Sequence, residues 1–570
     1  MPTARSVDRR CRPVGKERRI VVDLRSRPST GRDPRRPAAP RRPRSIPWWS
    51  ALAGIASGLV LLAVSGLCSL AFSSSSAPWI AVGGAFVDVV PPGLKDLVIG
   101  LFGTRDKLVL GISMLLVYAV VTGLIGVLGA RHARAAAVLL ALLGAAAGVF
   151  VLTRAQNSAA DVVPTLAGTV LAVVSLLALV SRAGAPPSAD GHRGRDAPSP
   201  VAETSPATAT SPSAAPPRRA LIAGTGVLAA IVAAGAQGIA TSRDLSRKVA
   251  QFVLPTPRKR AAPIPAGAQV DVAGMPPFVT PNGDFYRIDT ALAVPRVDPT
   301  SWSLRIHGLV DREIELDFSQ LLAEPMVESH VTLTCVSNVV GGDLAGNATW
   351  IGVPVARLLE RAGVQDGADM VLSRSTDGFT ASTPLEALTD GRDSLLAVGM
   401  NGSPLPPEHG YPVRMVVPGL YGYVSATKWL TELTVTRFAD QTAYWTSRGW
   451  SERGPIKTAS RIDVPREGKD LEADGDGAVM LGGTAWAQHR GVRAVQVQID
   501  DGDWLDAELG TAVTSDTWTQ WALRWADARP GEHAARVRAT DGTGELQTSQ
   551  HADPAPNGAS GWHTIRFTVA

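Results

Sequence analysis

The chain has 570 residues, with 56 Lys and Arg against 51 Asp and Glu, a formal net charge of +5 and three cysteines. Cys11, Cys68 and Cys335 stand too far apart in context for a disulfide framework or a zinc cluster, which excludes the small secreted scaffolds and zinc-finger classes. Most of the excess charge sits at one end, because residues 1–44 hold fifteen Lys or Arg and four Asp or Glu.

That basic block, taken as residues 1–47, has almost no apolar periodicity and reads as disordered. A basic tail just ahead of a hydrophobic span is more simply a cytoplasmic topology signal than a nucleic-acid-binding arm, so no nucleic-acid partner is expected. Charge-free stretches long enough to cross a bilayer follow: Trp48–Phe72, Leu108–Ala130, Ala135–Leu152 and Val162–Val180, grouped as residues 48–181, and Ala220–Ala240 after a linker. The loop Ser73–Lys107 holds few basic residues and is placed outside, Arg131 and Arg134 return inside, and the turn at Asn157 lies outside. The linker, residues 182–219, is rich in Pro, Ala and Ser and closes on Arg218-Arg219. That pair fits either a twin-arginine export signal or ordinary topology. Five spans place everything after Ala240 outside. The spans carry no histidine pair and the chain has no CxxCH, so no haem is expected and the helices read as an anchor.

After a connector, residues 241–270, the pattern turns to short strands. In Glu328–Asn338 (ESHVTLTCVSN) Val331, Leu333 and Cys335 share one face by the period of two, and Thr332 and Thr334 share the other. Cys335 closes this strand and opens a loop toward Gly341-Gly342, where a side chain can face a site. The local pattern alone fits a buried structural cysteine equally well.

Five motifs follow one another between Pro281 and Ala459: DFYRID at Asp284–Asp289, TCVSN ending at Asn338, ATWIGVPVARLL around Trp350 and Gly352, HGYPVRMVVPGLYG at His409–Gly422, and SATKWL at Ser425–Leu430. In this order they resemble the molybdopterin domain of the sulfite-oxidase family. The resemblance implies an α+β domain, taken as residues 271–460, with one molybdenum held by a pterin dithiolene and a cysteine thiolate, here Cys335 as ligand and catalytic centre. It implies pterin and phosphate contacts from Tyr286, Arg287 and Asn338, from His409, Arg414 and Lys428, and from Ser425, Ala426 and Thr427, with Ser375 as a further contact. It also implies a small-molecule substrate, two-electron oxygen-atom transfer and an external electron donor or acceptor.

The chain departs from the family's sulfite oxidisers in two places. Val339 and Val340 stand where those carry an arginine pair after the cysteine, and Phe379 stands where they tend to carry a tyrosine. An apolar pair there is expected to narrow the pocket toward a neutral or partly apolar substrate, with Arg287 or Arg374 as the cations that could reach in, so sulfite is not expected as the substrate. Residues 461–570 alternate cleanly, with Val495, Val497 and Ile499 on one face, a hairpin turn at Asp501-Gly502 and a second strand at Ala535–Ala539. With Trp504, Trp518, Trp521 and Trp525 to fill a core, this part resembles the family's immunoglobulin-like β-sandwich, which implies a homodimer. The expectation is a multi-domain, membrane-anchored oxidoreductase; the rival reading is a membrane-anchored binding or scaffold protein whose cofactor site has decayed.

Overall fold

The computed structural model describes residues 48–73, 75–90, 106–155, 157–183, 249, 252–526 and 528–570. The basic tail, the linker and the fifth span Ala220–Ala240 lie outside the described residues.

Among the described residues four helices are long and apolar enough to cross a membrane, at Trp48–Ser69, Leu108–Gly129, Ala133–Leu152 and Ala159–Ser181. We name the α-helices α1 (Trp48–Ser69), α2 (Pro78–Val89), α3 (Asp106–Gly129), α4 (Ala133–Leu152) and α5 (Val163–Ala183). The short apolar α2 lies in the segment expected to be a plain loop, and Pro78 at its first turn is compatible with helix entry. Small residues let the spans approach closely. A Cβ on Gly54 of α1 would fall 2.1 Å from the Thr122 carbonyl of α3.

The bundle has two distinct ends. At one, Gly129 lies beside Ala136 and Val180, close to the basic turn Arg131–Arg134 and to the end of α5. At the other, the Ser73 and Ser75 hydroxyls donate to Asn157 Oδ1, each at 2.6 Å, and the Ser73 amide donates to Asp161. This second end touches the soluble part. Arg296 donates to the Leu70 carbonyl at 3.2 Å, and the Tyr444 hydroxyl donates to Asp88 Oδ1 at 3.4 Å.

The catalytic part is built on β1 (Ser303–Gly308), β2 (Ile314–Asp317), β3 (Val327–Thr334), β4 (Ala345–Pro354), β5 (Met370–Ser375), β6 (Thr380–Pro384), β7 (Leu395–Met400), β8 (Ser403–Pro404), β9 (Arg414–Val416) and β10 (Leu430–Thr436). One sheet runs β2-β1-β10-β5-β6 and the other β3-β4-β7-β8, with β9 paired to β7. The C-terminal part adds β11 (Ala459–Val464), β12 (Lys469–Leu471), β13 (Val479–Trp486), β14 (Val492–Ile499), β15 (Trp504–Asp506), β16 (Glu508–Leu509), β17 (Thr519–Trp525), β18 (Gly531–Asp541) and β19 (His563–Val569). These form two sheets, β11-β13-β17-β16 and β12-β19-β18-β14-β15, and Val495, Val497 and Ile499 are buried between them as expected.

The tryptophans divide differently from expectation. Trp521 fills the sandwich core and Trp525 packs against it. Trp518 instead belongs to the core of the catalytic part, donating its ring N–H to the Phe278 carbonyl at 3.0 Å. Trp504 lies at the edge, 3.8 Å under the Arg538 guanidinium. Trp518 immediately precedes β17, so strand alternation could not tell which core it joins.

Candidate active site

β3 carries Cys335 into the interior. It pairs antiparallel with β4, Leu333 opposite Gly346 and Thr334 opposite Ala345. Thr332 and Thr334, on the strand's polar side, are also buried, because the sandwich covers them. Thr332 donates its amide to the Asp516 carbonyl at 2.9 Å, and Gln488 donates to the Thr334 hydroxyl at 2.9 Å. Beyond the strand the Cys335 amide donates to the Leu344 carbonyl, and the Leu344 amide donates to Asn338 Oδ1, each at 2.9 Å. Asn338 therefore ties the loop behind the cysteine, and its side-chain oxygen is used there. Burial pushes the Cys335 thiol up, against hydrogen bonding from Ser337. A thiol so placed stays protonated unless a metal stabilises the thiolate.

A second segment sets two cations side by side. At Gly410 φ is +114°, and an added Cβ would lie 3.0 Å from the Arg414 Cβ and 3.1 Å from the Lys428 Cβ. Only glycine fits between them. The Met415 amide donates to the Thr427 carbonyl at 2.9 Å, joining the two chain segments. Arg414 is buried, its guanidinium 5.0 Å from the Trp350 ring centroid. It donates to the carbonyls of Met415 and His409 at 3.3 and 3.2 Å and makes no ion pair among the described residues. Burial lowers it to about 10. Lys428 donates to Asp289 Oδ2 at 2.7 Å and to the Glu408 carbonyl at 3.2 Å. Burial lowers it to about 8, with Asp289 opposing.

His409 sits between these groups and the Asp284–Asp289 segment. Its Nε2 lies 2.8 Å from the Asn282 carbonyl, which can only accept, so Nε2 carries the proton. Burial brings it down to about 4, Asn282 opposing and Arg414 and Lys428 adding to the fall. The neutral ring thus has Nδ1 as an acceptor. Phe285 stands edge-on to His409 and Trp350, with Tyr286 stacked on it. Burial, then the nearby Cys335, push the Tyr286 hydroxyl up.

One pocket collects Tyr286, Cys335, Ser375, His409, Arg414, Ala426 and Lys428 in its lining. The other expected residues stand behind it. Arg287 pairs with Asp289 at 2.9 Å with its side chain 39% exposed. The Ser425 hydroxyl donates to the Leu420 and Tyr421 carbonyls, and the Thr427 hydroxyl meets that of Ser373 at 2.7 Å. Their side chains are used in these contacts and not in the lining. Val339 and Val340 are outside the lining, which takes Val336 and Ser337 from the same loop, so the expected narrowing by a valine pair is not found. Val339 is 56% exposed because the loop turns away at Asn338. Arg374 does not reach in either; it pairs with Glu432 at 3.3 Å.

The sequence reading missed Asp289, which anchors Lys428, and the mouth, where Trp445, Arg448 and Trp450 join Phe379 and Tyr423. The WTSRGW run at Trp445–Trp450 was the available signal, two tryptophans flanking an arginine just after the last strand.

The donor set suits a molybdenum–pterin group. A soft thiol lies in the same pocket as a buried guanidinium with no anion of its own, the environment a pterin phosphate requires. A neutral imidazole acceptor beside it matches a ring rich in N–H groups.

Comparison with known proteins agrees. The oxidoreductase molybdopterin binding domain family matches residues 291–445. The chain is 38% identical over 157 residues to the uncharacterized oxidoreductase YuiH of Bacillus subtilis, covering 28% of this chain and 76% of the relative. It is 28% identical over 321 residues to the mitochondrial sulfite oxidase of Drosophila melanogaster, covering 47% and 55%. To a nitrate reductase [NADH] of Solanum lycopersicum it is 33% identical over 194 residues, covering 29% and 21%. The chain thus spans three quarters of the first of these relatives, about half of the second and a fifth of the third. Its thiol, its buried cations and these relatives agree, and the chain belongs to the sulfite-oxidase family of oxidoreductases with a molybdenum–molybdopterin cofactor.

Proposed function

We propose that this chain is a membrane-anchored, extracytoplasmic enzyme that adds one oxygen atom to a small substrate other than sulfite while withdrawing two electrons from it, or runs the reverse. The observation that carries the reading is the shared pocket of the Cys335 thiol, of Lys428 and of Arg414, which makes no ion pair among the described residues. The bound cofactor supplies a metal centre that exchanges an oxygen atom with a two-electron change. Cys335 would hold that metal as a thiolate, Arg414 would neutralise the phosphate, and the neutral His409 ring would offer an acceptor to the pterin. Asp289 keeps Lys428 charged despite burial. In the oxidising direction substrate and water give the oxygenated product, two protons and two electrons for an external acceptor; the reducing direction is the reverse.

The placement outside rests on the helical bundle. The soluble part contacts the end bearing Leu70 and Asp88, opposite the basic turn Arg131–Arg134. Basic turns favour the cytoplasmic side. Ala183 closes α5 at that basic end, so the fifth crossing expected at Ala220–Ala240 would return the chain to the catalytic side.

Kinship alone does not choose a substrate, because sulfite oxidases and nitrate reductases both stand among the relatives. The mouth is walled by Phe379, Tyr423, Trp445 and Trp450. Sulfite has no apolar part to use these rings, so the mouth favours a substrate that carries one.

Replacing Cys335 by Ser in the full chain tests the reading. Wild type should carry about one molybdenum per chain and a thiolate-to-metal absorption band. The variant should keep its circular dichroism but lose the band and activity. A variant that retains both overturns the assignment.

A further inference from the structure

The pocket mouth holds a guanidinium that the cofactor does not account for. Arg448 is half-buried and lies over the Tyr444 ring, 3.6 Å from its centroid. Its Nη1 donates to the Tyr444 carbonyl at 2.7 Å and to the Ser447 hydroxyl at 3.2 Å. Among the described residues its Nε and Nη2 make no hydrogen bond and the side chain makes no ion pair. The other cations nearby are committed: Lys428 and Arg287 to Asp289, Arg374 to Glu432. Arg414 lies deeper, against Trp350.

The ring that carries Arg448 is held from two sides. The Tyr444 amide donates to the Thr380 hydroxyl at 3.0 Å. Its own hydroxyl donates to Asp88 of α2, and Asp88 pairs with Arg154 at 2.9 Å. Ala155 lies under Gly378, next to the pocket residues Asp377 and Phe379. The membrane unit therefore braces the rim of the pocket.

We propose that Arg448 binds an anionic group of the substrate, whose apolar body lies against Phe379, Trp445 and Trp450. The proposal rests on the oxidoreductase reading and names its substrate class, a small monoanion with an apolar or aromatic part. A planar guanidinium fixed by stacking loses little freedom on binding, and its two open N–H directions suit a carboxylate or sulfonate oxygen. Aromatic walls exclude water and strengthen that charge-assisted bond. One guanidinium balances one negative charge.

The test is isothermal titration of the cofactor-loaded full chain in detergent with benzenesulfonate and with methyl phenyl sulfone, its neutral near-isostere. Wild type should bind the sulfonate roughly tenfold or more tighter, as expected for a hydrogen bond to a charged group. Arg448→Gln should bring that ratio to about one, and Arg448→Lys, which keeps the charge, should restore part of it. Equal affinities in wild type, or a ratio unchanged in Arg448→Gln at full molybdenum content, would overturn the proposal. A wild-type chain without molybdenum would instead count against the oxidoreductase reading on which it stands. Should Arg448→Gln not fold, Arg448→Lys decides, since a ratio identical to wild type excludes the planar fork as the recognising group.

Discussion

Arg414 carries a charge into the interior and meets no anion among the described residues, so its removal should have opposite signs in the empty and loaded enzyme. Burial lowers its guanidinium from 12.5 to about 10, which corresponds to about 3 kcal/mol against the charged form. The compensation in the protein is modest. Two long hydrogen bonds to carbonyls contribute about 1 kcal/mol each, and the Trp350 ring contributes about 0.5–1 kcal/mol. Arg414→Met fills much of the same volume without the charge. Cofactor-free protein should therefore be unchanged or stabilised by up to about 1 kcal/mol, a rise of at most a few degrees in the thermal midpoint. On the proposed assignment the guanidinium would meet the cofactor's phosphate, and deleting one partner of such a buried pair costs about 3–5 kcal/mol. Molybdenum occupancy should fall, and the gain in midpoint on loading should shrink. Scanning calorimetry of both forms, with metal analysis alongside, measures this directly. A loaded variant with full molybdenum and the wild-type midpoint would refute the reasoning, as would a cofactor-free variant destabilised by more than about 2 kcal/mol.

Two further outcomes are expected. Reporters fused after Ala240 should be active only if they function outside the cytoplasm; a cytoplasmic signal would mean that the bundle is inserted the other way round, with the Arg131–Arg134 turn outside. In the sandwich, burial alone would raise the Asp541 carboxyl, but hydrogen bonds from Thr543, Arg490, the Glu545 amide and Thr458 hold it well below the usual carboxylate range. Its folded value is lowered, so its stabilisation is present above the unfolded value of about 3.9 and is lost as pH falls below that. Asp541→Asn should cost about 2 kcal/mol at neutral pH, as expected for a charge-assisted cluster, and should flatten the acid limb of the stability curve. An unchanged acid limb would show that other carboxylates dominate it.

How much of this was legible depended on the distance over which each signal acts. The spans were readable because a bilayer imposes its thickness on a continuous run of apolar residues. Cys335 at a strand end was readable from a period of two over a few positions. What Thr332 and Thr334 face was not. Alternation marks them as the polar side, but their burial depends on Gln488 and Trp518, more than 150 residues away. Trp518 was misplaced for the same reason: a tryptophan at the edge of a β-strand looks alike whichever core receives it. Arg448 was missed because its significance comes from three segments, around Asp88, Phe379 and Tyr444, that only the fold brings together. The arginine sought after Cys335 was a local pattern, whereas the cation found at the mouth is a tertiary one.

These contacts explain why an anchor and a sandwich flank the catalytic part. The metal-ligand role proposed for Cys335 would require its position to hold within a fraction of an ångström through a redox cycle, so the strand leading to it would need support on both faces. β4 pairs with β3 along its length, with Leu333 and Val331 in the core on one side, while Asp516, Gln488 and Trp518 of the C-terminal part fix its threonines on the other. The loop beyond Cys335 is closed from the same direction, Arg461 donating to the Gly342 carbonyl at 2.9 Å. The rim of the pocket has the opposite requirement, because substrate must pass it. Among the described residues the bracing there is light: a long hydrogen bond from Tyr444 to Asp88, a partly exposed ion pair from Asp88 to Arg154, and Ala155 against Gly378. Contacts of that kind contribute little to stability and can reform readily. The sandwich thus stiffens the metal end of the pocket, and the membrane unit positions its mouth without locking it.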